Sequence, residues 1–313
     1  MKTISIISPC HNEEDAVDSF FDAINKETKK LNNYNFEIII VNDGSTDKTL
    51  EKLRQKLETQ NNLKIINLNR NFGKEIALTA GIDNCQNDAT IIVDFDLQDP
   101  LNLIPDLISN WEQGYEAVVG IRSNRDSDSL FKKLTAKYFY KIYNIFSDIK
   151  IPENAGDYRL LDKKIIDQLK QLPERQRFMK GMFSWIGATT KYVDFTRQKR
   201  VNSKTKFSNW KLWNFAIEGI TSFSTLPLRI WTYIGFFISL ISFIYASCII
   251  GKTIFYGADL PGYSSMIVAI LFLGGIQIMG IGVLGEYLGR IYFESKKRPI
   301  YLIRNILKSD NGS

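Results

Sequence analysis

Strand-like and helix-like patterns alternate along the first 122 residues, and this alternation constrains the fold more than any other feature. Short, apolar, β-branched runs predict five strands, at residues 3–8, 37–41, 64–68, 89–93 and 117–121. The stretches between them predict helices at residues 15–31, 46–58, 74–84 and 101–113. Such alternation predicts a doubly wound, mostly parallel α/β sheet. Ligands of these sheets bind beyond the carboxyl ends of the strands.

Polar residues follow every predicted strand. They lie at residues 9–14, 42–45, 69–74, 94–96 and 120–122. A purely structural sheet also needs turn residues at these places, but it does not need so many carboxylates and bases. The pattern therefore favours one shared site at this edge of the sheet.

An acidic stretch follows the fourth predicted strand. In an extended chain, Asp94, Asp96 and Gln98 would face the same side, because side chains alternate along a strand. Hard oxygen donors at this spacing suit Mg²⁺ or Mn²⁺, which take their remaining ligands from water and phosphate. A simple acidic turn is the alternative that the stretch alone leaves open.

Several other kinds of site are disfavoured. The sequence contains neither the G-x-G-x-x-G fingerprint after its first strand nor a P-loop, so metal and basic side chains would have to hold any bound phosphates. Three scattered cysteines and a single histidine indicate neither a disulfide framework nor a zinc site.

Two later segments have amphipathic patterns with basic residues. Residues 128–146 combine an apolar stripe with four lysines, which is typical of a helix in a membrane interface or of a core-facing helix with a solvated basic side. Residues 208–228 place Trp210 and Trp213 at helical spacing and have lysines nearby. This combination predicts a juxtamembrane helix at the lipid headgroups.

The most apolar part of the chain lies within residues 229–290. Two runs without charge, residues 230–250 and 266–284, are each long enough to cross a bilayer. A buried hairpin in a soluble core is the disfavoured alternative. Basic residues flank the outer ends of the runs, so the positive-inside rule predicts two transmembrane helices of an inner or plasma membrane protein, with the first domain and both termini in the cytoplasm. Residues 291–313 then form a basic cytosolic tail.

The formal charge of +6 and the pI near 9.0 indicate contact with anions such as nucleic acid, anionic lipid or phosphate-bearing substrates. The basic residues concentrate near the apolar runs rather than on a separate face. We therefore expect a membrane and phosphates as partners, and no nucleic acid.

Seven motifs in order resemble one known group. The chain is similar to the family 2 inverting glycosyltransferases of GT-A fold, specifically to dolichyl-phosphate mannose synthases and bacterial polyprenyl-phosphate (bactoprenol) glucosyltransferases. The motifs are Ser-Pro-Cys-His-Asn-Glu-Glu (8–14), Val-Asn-Asp-Gly-Ser-Thr-Asp (41–47), Asn-Arg-Asn-Phe-Gly-Lys (69–74), Asp-Phe-Asp-Leu-Gln-Asp-Pro (94–100), Ala-Gly-Asp-Tyr-Arg-Leu-Leu (155–161), Arg-Phe-Met-Lys-Gly (177–181) and Phe-Ser-Thr-Leu-Pro-Leu-Arg (223–229).

The resemblance implies roles for individual residues in a catalytic domain at residues 1–207. Donor binding is implied for Pro9, Glu13, Asp43, Lys74 and Asp94. Metal binding is implied for Asp94, Asp96 and Gln98, with Asp96 also counted as catalytic because the metal eases the departure of the nucleotide.

Asp157 matches the catalytic base that the family is proposed to use. A lipid monophosphate acceptor is already mostly dianionic at pH 7, however, so Asp157 could instead orient the acceptor or tune the local charge.

The acceptor phosphate is expected to need cations. The resemblance implies Arg122, Arg200 and Lys206 for this role. The chain departs from the family pattern here, because Ser203 stands where glycine is usual and Thr205 where serine is usual. Arg125, Lys132 and Lys133 are therefore competing candidates.

The function that follows is transfer of a hexose, foremost glucose from UDP-glucose, to undecaprenyl phosphate on the cytoplasmic face. The family context implies a flippase that carries the product across the membrane. Gly285-x-x-x-Gly289 favours close helix packing, within the hairpin or in a homo-oligomer.

Two alternatives remain open at this point. The same reaction could use GDP-mannose, UDP-GlcNAc or an aminosugar nucleotide, because donor choice depends on a few pocket contacts. A protein of another class, a non-catalytic membrane-anchored nucleotide-sugar sensor, would bind the donor without turnover.

Overall fold

The computed structural model describes residues 1–122, 155–175, 177–196, 226–256 and 262–309. Its first part alternates strands and helices as predicted. The elements are β1 (Lys2–Cys10), α1 (Val17–Thr28), β2 (Tyr34–Asn42), α2 (Thr49–Leu57), β3 (Leu63–Leu68), α3 (Lys74–Asp83), β4 (Ala89–Ile92), a 3₁₀ turn (Leu101–Leu103), α4 (Ile104–Glu112) and β5 (Ala117–Arg122).

The later elements complete the sheet and add two long helices. They are β6 (Ala155–Asp162), α5 (Lys163–Gln171), α6 (Met179–Trp185), β7 (Thr190–Phe195), α7 (Leu226–Tyr256), α8 (Tyr263–Ser295) and β8 (Ile303–Lys308).

The sheet is mixed, with the order β7-β5-β6-β4-β1-β2-β3-β8. Strands β4, β1, β2 and β3 form a parallel block, as the alternation predicted. Strand β6 lies antiparallel between β4 and β5, and β8 lies antiparallel at the edge beside β3. Within this mostly parallel sheet, β6 separates β5 from the parallel block.

The sheet is covered on both faces. Along β1, Ile4 and Ile6 pack with α1 and α4, whereas Ile7 packs on the opposite face with α3 and α5. All three isoleucines are completely buried. Burial on alternate sides explains why the central strands are apolar at nearly every position rather than at every second one.

The two long helices contain the two uncharged runs. Within the described ranges, one stretch, Phe272–Ser295, is long and apolar enough to cross a membrane, and Tyr233–Tyr245 is a shorter apolar stretch. The helices touch near Gly280, where an added Cβ would lie 3.5 Å from the Trp231 ring.

The segment after residue 291 is more than the basic tail that the sequence predicts. Its β8 pairs with β3, and the backbone N–H of Arg175 donates to Glu294 Oε1 near the end of α8 at 2.7 Å. The Tyr301 hydroxyl donates to Asp83 Oδ2 at 2.8 Å. The end of α8 is therefore attached to the α/β domain.

Several predictions lie outside the described residues. These are the helix at residues 128–146, most of the juxtamembrane helix at 208–228, and the candidate cations Arg125, Lys132, Lys133, Arg200 and Lys206.

Candidate active site

The loops after β1 and β2 interlock at the carboxyl edge of the sheet. His11 Nδ1 donates to the carbonyl oxygen of Asp43 at 2.8 Å. The backbone N–H of Asn12 donates to Ser45 Oγ, and Asn12 Oδ1 accepts from the backbone of Thr46. Asn12 has a φ of 53°, a conformation that asparagine tolerates better than most residues. The two motifs thus hold each other in place.

The acidic end of the first loop continues this pattern. The backbone N–H of Glu13 donates to Thr49 Oγ1 at 2.9 Å, and that of Glu14 donates to Asp47 Oδ2 at 3.3 Å. Pro9 lies inside β1, opposite Val41 of β2. The predicted donor-binding residues Pro9 and Glu13 therefore lie on one firmly held wall.

Asp43 ties the third loop to this wall. Its Oδ1 accepts from the backbone of Phe72 at 2.7 Å and its Oδ2 from Gly73 at 2.9 Å. Gly73 has a φ of 100° and directly precedes α3. Both oxygens of Asp43 therefore position the start of α3, in addition to the nucleotide contact that the resemblance implies.

Gly44 allows the third loop to lie this close. Its φ is 60°, and an added Cβ would lie 2.3 Å from the carbonyl carbon of Arg70. Because the obstacle is backbone, a side chain at this position would push the two loops apart.

Lys74 links two predicted site residues. As the first residue of α3, it places its Nζ 2.5 Å from Asp94 Oδ1 and 2.7 Å from Asp157 Oδ2. Partial burial acts to lower the pKa of Lys74, but the carboxylates of Asp157 and Asp94 raise that pKa well above its usual value. The structure thus brings together three residues that are far apart in sequence.

Within the described segments, Asp157 has one oxygen paired with Lys74 and one oxygen without a partner. Its Oδ1 is buried and has no hydrogen-bond partner among the described residues. Burial acts to raise the pKa of Asp157, but Lys74, Lys180 and Arg159 together hold it well below its usual value. Asp157 is therefore ionised at neutral pH, with one oxygen paired to Lys74 and the other buried without a partner among the described residues.

Arg159 lies two residues after Asp157 on β6, and its charge acts on that carboxylate. It is 5% exposed, its Nη2 donates to the carbonyl oxygen of Gly156 at 2.6 Å, and its guanidinium lies 3.9 Å from the centre of the Phe183 ring. Burial lowers the pKa of Arg159 to about 10, which leaves it charged at neutral pH. Arg159 therefore supplies a fixed positive charge near the Asp157 carboxylate.

Glu75 is a site neighbour that the sequence did not single out. Its Oε2 accepts from the backbone of Met179 at 3.1 Å, at the start of α6. Burial and the charge of Asp157 raise the pKa of Glu75 to about 7. The one signal that the sequence offered was that Glu75 directly follows Lys74, the last residue of the third motif.

The acidic motif after β4 is a turn rather than an extended chain. The strand ends at Ile92, and Leu97 has a φ of 55°. Asp96 Oδ1 accepts from the backbone of Gln98 at 3.1 Å, and Gln98 is buried. The alternation argument for convergence of these side chains was therefore wrong, although their assignment as metal ligands stays a prediction.

The side chains of the turn fit a divalent cation when substrate completes the sphere. The described part of the chain contains no group of three or more histidine, cysteine, aspartate or glutamate residues that could hold a metal. Mg²⁺ and Mn²⁺ commonly use only one or two carboxylates together with substrate phosphates. Asp94 and Asp96 can supply the carboxylates. A bound ion would neutralise charge on a leaving diphosphate.

Arg122 is the one predicted acceptor-site cation within the described residues. It ends β5 in register with Phe195 of β7, at the same edge of the sheet as the other loops. Its Nε is buried without a hydrogen-bond partner in the described segments.

Two family models match the chain. Glycosyl transferase family 2 matches residues 5–170, and the GtrB C-terminal hairpin matches residues 226–291. The chain belongs to glycosyl transferase family 2. The mixed α/β sheet is therefore the GT-A-like domain that the resemblance implied.

Relatives match along almost the whole chain. The bactoprenol glucosyl transferase of Shigella phage SfV is 49% identical over 303 residues, covering 96% of this chain and 98% of the relative. A prophage bactoprenol glucosyl transferase homolog of Escherichia coli K12 is 48% identical, covering 97% and 99%. The resemblance to the polyprenyl-phosphate group is therefore confirmed.

Solved structures match more distantly. The mannosyltransferase PcManGT from Pyrobaculum calidifontis, in complex with GDP-Man and Mn²⁺, is 13% identical with a TM-score of 0.47. That match covers 94% of this chain and 86% of the other.

Proposed function

We propose that this glycosyltransferase moves glucose from UDP-glucose to a polyprenyl phosphate at the cytoplasmic face of a membrane, with inversion at the anomeric carbon. The observation that carries the proposal is the similarity to bactoprenol glucosyl transferases, which extends through both the sheet and the helical hairpin. The site geometry supports it, because a rigid wall and a cluster of charges share one edge of the sheet.

The rigid wall is proposed to bind the nucleotide. Pro9, Glu13 and Asp43 lie on the interlocked loops, where uracil and ribose would contact groups that need no rearrangement. Asp94, Asp96 and Gln98 would hold Mg²⁺ or Mn²⁺ at the diphosphate. Lys74 adds positive charge beside Asp94.

In the proposed reaction, an oxygen of the acceptor phosphate attacks the anomeric carbon of the sugar. The new bond joins this carbon to the lipid phosphate, while the bond to the diphosphate breaks and its electron pair leaves with UDP. Inversion follows from attack on the face opposite to the leaving group.

Asp157 fits the orienting role better than the role of a base. Its pKa lies well below the usual range, whereas an efficient general base has a pKa near the working pH. The dianionic acceptor also needs no base. The acceptor must approach an ionised carboxylate, so it needs cations, for which Arg122, Arg200 and Lys206 are the candidates.

Membrane attachment is proposed through α7 and α8 as a two-span hairpin, with the amphipathic segment at 128–146 in the interface. The contacts of Arg175 with Glu294 and the pairing of β8 with β3 attach the end of α8 to the catalytic domain. Catalytic domain and both termini would then lie in the cytoplasm. A homo-oligomer and a partner flippase are part of the same proposal.

A transfer assay tests the proposal. Membranes containing the protein are incubated with undecaprenyl phosphate and radiolabelled UDP-glucose, UDP-GlcNAc or GDP-mannose, with and without EDTA. We expect organic-phase label from UDP-glucose, and at least about a 100-fold loss when EDTA removes the divalent ion. Label from another donor alone would contradict the assignment of glucose. UDP-glucose binding without any transfer would favour the sensor.

A further inference from the structure

We propose that Lys180 binds the phosphate of the acceptor lipid beside Asp157. The inference rests on the proposed function and adds a residue that neither the motifs nor the relatives assign to a role.

The backbone at Lys180 is held firmly. Lys180 is the second residue of α6, and its neighbours Phe178, Met179 and Met182 are each 1% exposed. The backbone N–H of Met179 also donates to Glu75 Oε2, which joins the start of α6 to the first turn of α3. The base of the Lys180 side chain therefore has little freedom to move.

Lys180 lies beside the charged part of the site, because its neighbour Met179 contacts Glu75, which follows Lys74 on α3, and Lys74 pairs with Asp157. The Lys180 ammonium acts on both Asp157 and Glu75, lowering the pKa of each carboxyl group. It is only partly buried, so a ligand can reach it from solvent or from a membrane surface.

Lys180 differs from the other cations near Asp157 in having no direct partner. Lys74 makes ion pairs with two carboxylates, and Arg159 donates to backbone carbonyls and stacks on Phe183. Across the described ranges, the Lys180 ammonium makes neither a hydrogen bond nor an ion pair. Lys180 can thus engage an incoming anion without breaking an existing contact.

Asp157 is the carboxylate beside which the phosphate would have to bind. Its Oδ1 is buried and has no partner in the described residues, so the site presents an ionised carboxylate and an uncommitted ammonium together. A phosphate approaching Asp157 alone would be repelled. Lys180 offsets this repulsion as a point charge that tolerates several phosphate orientations.

The sheet order favours the acceptor over the donor as the source of this phosphate. Asp157 lies on β6, on the far side of β4 from β1, β2 and β3, whose loops form the proposed nucleotide wall. Lys74 and Asp94 stand between the two regions. The Lys180 side therefore corresponds to the second substrate.

The test compares Lys180→Ala and Lys180→Arg with the wild-type full chain in detergent. Lys163→Ala is the matched control, because Lys163 is a half-exposed lysine that follows Asp162 at the opposite edge of the sheet. Initial rates are measured against undecaprenyl phosphate at saturating UDP-glucose, and then with the roles exchanged. Calorimetry without donor measures binding of undecaprenyl phosphate and of undecaprenol, which lacks the phosphate.

We expect Lys180→Ala to raise the KM for undecaprenyl phosphate and weaken its binding by roughly 10- to 100-fold, the range for one charge-assisted hydrogen bond. The KM for UDP-glucose should change by less than about twofold, and Lys180→Arg should restore most of the loss. Binding of undecaprenol and the thermal midpoint should match the control.

An unchanged affinity for undecaprenyl phosphate, or an effect confined to UDP-glucose, would overturn the inference about Lys180. The calorimetric arm needs no turnover. Wild-type protein that binds undecaprenyl phosphate through Lys180 but transfers no glucose would therefore refute the proposed function and leave this inference standing. Wild-type protein that does not distinguish undecaprenyl phosphate from undecaprenol would refute the inference itself.

Discussion

The two halves of the candidate site are built in opposite ways. In the loops after β1, β2 and β3, polar groups are paired with one another: Asp43 with the backbone at Phe72 and Gly73, and Asn12 with Ser45 and Thr46. In the part around β6 and α6, Asp157 Oδ2 pairs with Lys74, but Asp157 Oδ1 and the Lys180 ammonium have no direct partner among the described residues.

The first half of the site is therefore defined by its shape, and the second half by its charged groups. The first half is a preorganised surface that requires no ligand to reach its conformation, which reduces the entropic cost of binding. In the described ranges, the second half holds an ammonium without a direct partner, which a phosphate would engage. Substitutions in the first half should therefore act mainly on stability, whereas removal of the charge of Asp157 or Lys180 should act mainly on the reaction.

The largest effect is expected for Asp157→Asn. The variant loses the negative charge that pairs with Lys74 and is proposed to orient the acceptor, and we expect kcat to fall by about 10²-fold. The thermal midpoint should shift by only a few degrees, because Lys74 keeps Asp94 as a partner. The measurements are glucose transfer and thermal unfolding of the same preparation.

Asp167→Asn is the control for this variant, since Asp167 forms an exposed i,i+4 pair with Lys163 on α5. It should leave both readouts near wild type. If Asp157→Asn unfolds while Asp167→Asn does not, Asp157 serves the fold first, and the proposed contrast between the two halves fails.

The sequence predicted the local elements of the catalytic domain well and the long-range pairing poorly. The five predicted strands are all present, each within about three residues of its expected ends, because buried apolar runs identify them directly. Strands β6, β7 and β8 were missed. Strand β6 begins Ala-Gly-Asp and alternates little, and β8 follows a membrane-length helix, so only the folded sheet shows where each one pairs.

For the candidate site too, the sequence identified individual residues but not how they come together. Lys74, Asp94 and Asp157 were named from motifs, but their joining through one ammonium depends on the approach of α3 to β4 and β6. Glu75 and Lys180 were not assigned roles, since a charged residue beside or inside a motif reveals its function only through the groups around it.

The second prediction concerns the rigid half. Gly44→Ala places a Cβ against the backbone of Arg70 and imposes a positive φ on alanine, and we expect a loss of about 4 kcal/mol in unfolding free energy. Chemical denaturation of the detergent-solubilised protein measures it, and UDP-glucose binding should weaken in parallel.

Gly114→Ala separates the steric cost of the added Cβ from the cost of a positive φ. Gly114 has a φ of 97° but nothing within 4 Å of an added Cβ, so it carries the conformational cost alone, about 1–2 kcal/mol. Equal losses at both positions would mean that the loop beside Gly44 shifts freely, which would contradict the rigidity of this half.

The smallest effect is expected for Glu75→Gln, and it depends on pH. The pKa of Glu75 is about 7 in the folded chain, against 4.5 for an ordinary glutamate, mainly because of burial and the charge of Asp157. A carboxyl group with a raised pKa in the folded state contributes stability below pH 4.5, and that contribution is lost as the pH rises through 7. Glutamine does not ionise, and its amide oxygen can still accept from the backbone of Met179.

The variant should therefore gain stability relative to wild type between pH 5 and pH 8, by about 1–3 kcal/mol. Thermal midpoints of both proteins across this range measure the change, with Glu51→Gln on the exposed side of α2 as the control that should stay parallel to wild type. Parallel curves for Glu75→Gln would mean that Glu75 is ionised throughout. The charged half of the site would then already hold an additional negative charge at neutral pH, and an acceptor dianion would depend more heavily on Lys180 to approach Asp157.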